Sequence, residues 1–348
     1  MLEIGPQHTL DYRHEVLKPF FDYVRSSESF SVIGAASMGK TRLLDFLMKP
    51  EVKEHYLSAD ASRFWLIRVD LNRLVKEETW AFYELLLSSI LLDLYNHESI
   101  GNLNTEIAQL DSEVIQKRDF LLSLRFFEMA VNRLCQVYEL RLCFLFDEFD
   151  EAYQTLPKDL FRQLRAVRDA NKNRVSFGLF LRNLPDVLRS PSDNESFYEL
   201  LSRNLIGLGP YNRADTLRIL EQIEARRQYR LSPEMRERFL EASGGHAGIL
   251  QGLLSAIMEN PQFFPASNGP GWTDWVSQQP GVREECRKIY EGLREEEQAA
   301  LRAFARGEFS QITPLTGKSL MVKGVLRRDN SETRFFSRVF ESYVRSFL

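Results

Sequence analysis

Gly34-Ala35-Ala36-Ser37-Met38-Gly39-Lys40-Thr41 places a lysine and a threonine directly after the second of two glycines, in the spacing GxxxxGK[ST]. Glycines let backbone N–H groups wrap an anion, a lysine ammonium at that position reaches β- and γ-phosphate oxygens, and the hydroxyl offers an oxygen to Mg²⁺. An apolar run at 30–33 precedes the pattern and a helical one at 42–48, stopped by Pro50, follows it. A helix starting there turns its positive end toward the phosphates. A glycine turn before an ordinary helix would leave the order Lys-Thr unexplained. The expected ligands are a nucleoside triphosphate with Mg²⁺, held by residues 34 to 42, Arg42 included, and the loop alone leaves adenine and guanine both open.

Phosphate chemistry of this kind needs carboxylates on a neighbouring strand. The run Leu142-Cys143-Phe144-Leu145-Phe146 ends on Asp147-Glu148. Asp147 is expected to hold Mg²⁺ through water, with Thr41 as the second metal-side group, and Glu148 to polarise the attacking water. The plainer alternative is a solvated acidic turn opening a helix, and Asp150 and Glu151 are read as surface charges. The next apolar run ends Phe180-Leu181-Arg182-Asn183, where Arg182 or Asn183 is placed to meet the γ-phosphate or the lytic water, or simply to cap the strand. The catalytic set is therefore Lys40, Glu148 and Arg182.

These groups need a scaffold. Strands are expected at 30–33, 64–70, 140–146 and 175–181. Helices are expected at 12–27 (interrupted by Pro19), 42–48, 79–95, 118–138 and 158–171. Alternation of this kind gives a parallel sheet covered on both faces. The polar stretch 96–113 reads as an insertion or mobile connection. Residues 213–259 read as helical throughout, broken at Ser232-Pro233 and Gly244-Gly245, and 260–281 as a linker rich in Pro, Gly, Ser and Asn. The remainder offers helices near 284–293 and 295–305, a turn around Lys318, a short strand at 325–328 and an aromatic-rich end at 335–347.

At 348 residues the chain suits two or three domains. Hydrophobic residues at 44% and charged residues at 27% are the proportions of a folded soluble protein. A net charge of −4 gives no whole-protein attraction to nucleic acid or acidic membrane. Cys135, Cys143 and Cys286 lack CxxC spacing and are expected reduced. Early charges at Glu3, Asp11, Arg13 and Glu15 argue against a signal peptide, and Glu84 and Asp93 make 80–95 a buried helix rather than a membrane span. The expected location is cytoplasmic.

The loop, the Phe-Asp-Glu strand end and the strand ending in Arg182 together resemble the ASCE branch of P-loop ATPases. More narrowly they resemble its STAND and archaeal-ATPase-like groups, relatives of AAA+ and origin-recognition ATPases. Leu205-Ile206-Gly207-Leu208-Gly209-Pro210 is similar to the link from core to helical lid, and Ser243-Gly244-Gly245-His246-Ala247-Gly248-Ile249-Leu250-Gln251 to the lid's Gly-x-Pro motif. That motif's proline is Ala247 here; the resemblance implies nucleotide contact through His246. The last unit, with Phe336-Ser337-Arg338-Val339-Phe340, resembles a winged helix.

The implied fold class is α/β: a three-layer P-loop core with a parallel sheet, then a helical lid and a C-terminal winged-helix-like domain. The boundaries are 1–28 for an N-terminal helical segment, 29–209 for the core, 210–262 for the lid, 263–281 for a linker and 282–348 for the winged helix. Such ATPases often borrow an arginine from a neighbour, and Arg162, Arg165, Arg168 and Arg203 are candidates.

The leading expectation is an ATP-binding and ATP-hydrolysing switch, slow and regulatory, that works ATP and ADP against a separate protein partner, as in prokaryotic signalling or defence, and forms nucleotide-dependent homo-oligomers. The last 48 residues hold nine Lys or Arg against four acids. A DNA-associated ATPase is therefore the alternative, contacting duplex through a basic wing at Lys323 to Arg328, although the recognition helix expected near 310–320 is not basic. A scaffold using nucleotide structurally is the third reading, and the intact Glu148 argues against it. No membrane partner is expected.

Overall fold

Seven strands organise the structure, a computed structural model describing residues 8–95, 103–193, 195–260, 270–329 and 332–348. They are β1 (Phe30–Ile33), β2 (Phe64–Asp70), β3 (Arg141–Asp147), β4 (Val175–Leu181), β5 (Leu205–Gly207), β6 (Leu326–Asp329) and β7 (Glu332–Phe335). The first five form one parallel sheet in the order β2-β3-β4-β1-β5. β1 and β4 are buried at every residue and β3 at all but its first, so the sheet is covered on both faces and the core has three layers. The sequence pattern does not mark β5, because three residues that include Gly207 carry too little periodicity.

The chain divides into two units. One comprises Leu17–Ile33 and Thr41–Ile206. Its interior is aromatic: Phe127 packs edge-on against Phe144 at 5.7 Å, and Phe146 lies 5.9 Å from Phe177. Helix His14–Ser26 runs through Pro19 because Leu17, Phe20, Phe21 and Val24 form one buried stripe, which outweighs the lost backbone hydrogen bond. Thr79–Tyr95 is a largely buried helix, and among the described residues no helix is long and apolar enough to cross a membrane.

The polar stretch expected to be a mobile connection is helical over Leu103–Lys117, anchored by buried Leu103, Ile107 and Val114. The remaining part of it, 96–102, lies outside the described residues. The helix expected over 118–138 spans Phe120–Asn132 and finishes in a π-helical turn, Arg133–Val137.

The other unit comprises Met1–Val16, Gly34–Lys40 and Gly207–Leu348. Helices Arg213–Arg227, Pro233–Ser243 and Ala247–Glu259 match the expected breaks, each opened by a capping side chain from Asn212, Ser232 and His246. The stretch read as a linker carries helix Pro270–Ser277, held by buried Trp272 and Val276 one turn apart, and helix Pro280–Glu291 begins before it would end. Its first part, 261–269, lies outside the described residues.

Helices Glu295–Arg306 and Pro314–Val322 followed by the antiparallel β6–β7 hairpin have winged-helix order. The turn expected around Lys318 is instead inside the second helix, which starts with Thr313 as cap and Pro314 as its first residue. Within this unit the segments approach closely: the Ser337 hydroxyl donates to Ala242 O at 2.6 Å, and Tyr211 N–H to Gly245 O at 3.0 Å.

Candidate nucleotide site

The loop Gly34–Lys40 needs left-handed backbone at Ser37 (φ 62°) and Gly39 (φ 86°), which turns successive peptide N–H groups toward one side. Lys40 is buried, and its ammonium donates to Gly34 O at 2.8 Å and Ala35 O at 3.4 Å. It thus lies against the loop that it would leave only slightly to meet a phosphate. Thr41 and Arg42 are exposed at the start of helix Lys40–Leu47.

A residue that the pattern did not single out supports this loop. Arg13 is 1% exposed, and it donates to Met38 O at 2.9 Å and to Gly209 O at 2.8 Å. Its guanidinium carbon lies 3.9 Å from the centre of the Tyr211 ring, and its backbone N–H donates to Asp215 at 2.9 Å. A lone arginine in a polar N-terminal stretch gave no periodic signal. The Cβ that an alanine would add at Gly292, just past helix Pro280–Glu291, would stand 2.7 Å from the Ala36 side chain, so the loop also has a close neighbour there.

The carboxylates occupy the carboxyl edge of the sheet. Register pairs Ile33 with Leu181, Phe146 with Leu179, and Asp70 with Asp147, so β1 and β3 end on the same edge with β4 between them. Asp147 is 3% exposed. Burial pushes its carboxyl above the ordinary range, opposed by the Arg68 guanidinium 2.8 Å away. Its Oδ1 is buried without a hydrogen-bond partner among the described residues. An orphaned buried carboxylate oxygen, with a threonine hydroxyl as the other expected donor, is the all-oxygen set that suits Mg²⁺.

Glu148 adopts a left-handed conformation (φ 55°, ψ 46°), a strained state that turns its side chain out of the strand path. Its carboxylate meets Arg182 at 2.7 Å. Asp150 corrects its reading as a surface charge: it accepts the N–H groups of Arg182 at 2.8 Å and Asn183 at 3.0 Å, and the Asn183 side chain at 3.0 Å. It fixes the end of β4 and commits Asn183 to that task, leaving Arg182 as the reaching side chain. Glu148, Asp150, Arg182 and Asn183 line one polar cavity of about 640 Å³.

His246 is buried, and its Nδ1 accepts from Ile249 N–H at 3.3 Å, capping helix Ala247–Glu259. Arg162 pairs with Asp159, Arg165 with Asp169 and Glu199, and Arg168 with Asp169. Arg203 is exposed and makes no ion pair among the described residues. Lys323 leaves the basic wing: it is fully buried and bonded to Glu297 at 2.7 Å. Arg327, Arg328 and Arg334 remain exposed on the hairpin.

No protein-family model matches the sequence, and no curated protein does. The fold is similar to that of a Walker-type ATPase of Pyrococcus abyssi, with TM-score 0.58 and 14% identity over 99% of both chains. It is also similar to the ORC2 protein of Aeropyrum pernix at 14% identity over 99% of this chain and 96% of that one. The TM-score is 0.53 for that protein's ADP form and 0.50 for its ADPNP–ADP complexes. At such identity the likeness is one of fold, and the fold is that of the P-loop ATPases of the ASCE and AAA+ class.

Proposed function

We propose that this chain binds ATP with Mg²⁺ on residues 34–42 and hydrolyses it slowly, as a switch of the STAND and AAA+ kind acting on a separate protein. The observation that carries the reading is topological. The GxxxxGK[ST] loop leaves β1, the Asp-Glu pair leaves β3, and one strand separates them on a single carboxyl edge. In this reading Lys40 steadies the β- and γ-phosphates and Thr41 and Asp147 hold Mg²⁺, which neutralises charge on the phosphates when bound. Glu148 accepts the proton of the attacking water, and Arg182 contacts the transferred phosphoryl group. His246 caps the helix that follows the lid glycines and is the lid residue proposed to contact the nucleotide.

Residues 210–262 are the proposed lid and 282–348 the winged helix, with the latter placed according to nucleotide state. Arg203 is the arginine offered to a neighbouring copy. Cys135, Cys143 and Cys286 are all buried and free, which suits a reducing compartment such as the cytoplasm, and burial pushes each thiol up to about 12, which keeps it unreactive.

Sizing the purified chain with ADP, with ATP, and as Glu148→Gln with ATP tests the switch. Assembly confined to the ATP states is the expected result; a constant size in all three, with no turnover, would sink the proposal.

A second reading, duplex DNA on the hairpin, is favoured by one observation: Arg327 and Arg334 are direct cross-strand partners. Like charges so placed repel, and partial desolvation of the otherwise exposed Arg327, together with Arg334, holds it below its ordinary range, while Asp329 pairs with Arg334 and offsets part of the repulsion. A polyanion would relieve that repulsion. Salt-dependent DNA binding that weakens in Arg327→Ala and Arg328→Ala supports this reading, and absence of binding at low salt removes it.

A further inference from the structure

We infer that Arg68 is a positioning residue that fixes the metal-side carboxylate of Asp147 and ties it to the helix carrying Thr41. The inference rests on the proposed binding of ATP with Mg²⁺ and adds to it a residue outside the loop and the Asp-Glu pair.

Arg68 lies on β2, where its register partner is Leu145, two residues before Asp147 on β3. Side chains two apart on paired strands share a face, so Arg68 and Asp147 point to the same side of the sheet. The contact is divided between two acids. Nη2 donates to Asp147 Oδ2 at 2.8 Å, and Nη1 donates to Asp45 Oδ1 at 2.7 Å. Asp45 stands on helix Lys40–Leu47 four residues beyond Thr41, one turn along the same side. One planar guanidinium therefore spans the two elements that supply the expected metal-side groups.

The division settles which oxygen of Asp147 is available. Oδ2 is occupied by Arg68, and Oδ1 is buried with no hydrogen-bond partner among the described residues. A guanidinium bonded through both terminal nitrogens cannot follow a rotating carboxylate, so the free oxygen keeps one direction. A lysine is a point charge and cannot bridge both acids in this way. Partners that orient a metal-side carboxylate typically govern metal affinity by about 10- to 100-fold.

The test measures affinity of the full chain for a fluorescent ATP analogue with Mg²⁺ and with EDTA, and compares the Mg²⁺-dependent gain between variants. Arg68→Met and Arg68→Lys are expected to lose about 10- to 100-fold of that gain while keeping the affinity seen in EDTA. Asp45→Asn, at a largely exposed position that does not threaten the fold, is expected to lose a smaller part. A bare loss of fold would lower both affinities together, and in that event Asp45→Asn carries the test. An undiminished gain in the folded variants, or a larger one, overturns the inference, since it would mean that Arg68 only opposes the cation. A wild-type chain with no Mg²⁺-dependent gain overturns the proposed function itself, a result distinct from an unaffected variant.

Discussion

Arg182 Nη2 lies 2.7 Å from Glu148 Oε2, so the carboxylate proposed to activate water is held by the residue just past the adjacent strand β4. Glu148 stands in strained backbone to reach that position, while Asp150 anchors the backbone beneath Arg182. The two side chains act as a unit, and a γ-phosphate competing for Arg182 would release the glutamate.

Glu148→Gln keeps the shape and removes the base. Turnover of ATP should fall by about 10²- to 10⁴-fold, the usual worth of a general base. ATP affinity should barely move. Single-turnover hydrolysis and equilibrium binding measured side by side check this, and hydrolysis at the wild-type rate would remove Glu148 from the mechanism.

Lys40 already lies against the loop, 2.8 Å from Gly34 O, so its ammonium needs little reorganisation to meet phosphate oxygens. Lys40→Ala should weaken ATP binding by about 10- to 100-fold, the worth of a hydrogen bond to a charged group. Calorimetric titration reads it directly; affinity within a factor of two of wild type would contradict the assignment.

The Glu297–Lys323 pair is buried on both sides. Burial alone would raise the Glu297 carboxyl, but Lys323, the Ser319 hydroxyl and the Arg294 N–H hold it below its ordinary value. A depressed folded value means that the stabilisation is present above the unfolded carboxylate value and is lost as pH falls through the lowered folded one. Unfolding of the C-terminal segment should therefore become easier below about pH 4.3. Glu297→Gln at neutral pH leaves Lys323 buried beside a neutral amide and should cost about 3–5 kcal/mol. Denaturant melts of the wild type and Glu297→Gln at pH 7 and pH 3 test both statements, and an equal pH shift in the two proteins would refute the first.

Gly244 and Gly307 both require left-handed backbone, with φ 57° and 80°. An alanine Cβ at Gly307 meets nothing within 4 Å, whereas one at Gly244 would sit 1.8 Å from Phe336 O. Gly307→Ala should cost only the conformational penalty of about 1–2 kcal/mol. Gly244→Ala adds a collision with backbone and should lower the melting temperature far more. Equal shifts in the two variants would show that the approach of Phe336 to Gly244 is absent in solution.

The loop, four of the five sheet strands and the Asp-Glu pair were legible because each is local: a spacing, an apolar run, a polar residue at its end. What escaped was set by partners distant in sequence. Arg13 acquires its role only where Met38, Gly209 and Tyr211 converge on it. Asp150 looked solvated beside three other acids until the end of β4 arrived. Lys323 counted as wing charge because nothing local separates a basic residue in solvent from one facing Glu297, 26 positions earlier. Helices Leu103–Lys117 and Pro270–Ser277 are polar or Gly- and Pro-rich, and only their buried faces, invisible to propensity, hold them helical.

Arg13 also bears on how the protein emerges from the ribosome. Its anchors Gly209, Tyr211 and Asp215 are synthesised about two hundred residues after it. The Gly34–Lys40 loop belongs to the same discontinuous unit. The sheet can pair while the chain is still growing, yet the loop's buttress waits for residues beyond 207. Any competence to grip nucleotide would thereby wait until these later residues are made, and a shorter nascent chain would carry the loop sequence without the bracing that sets its shape.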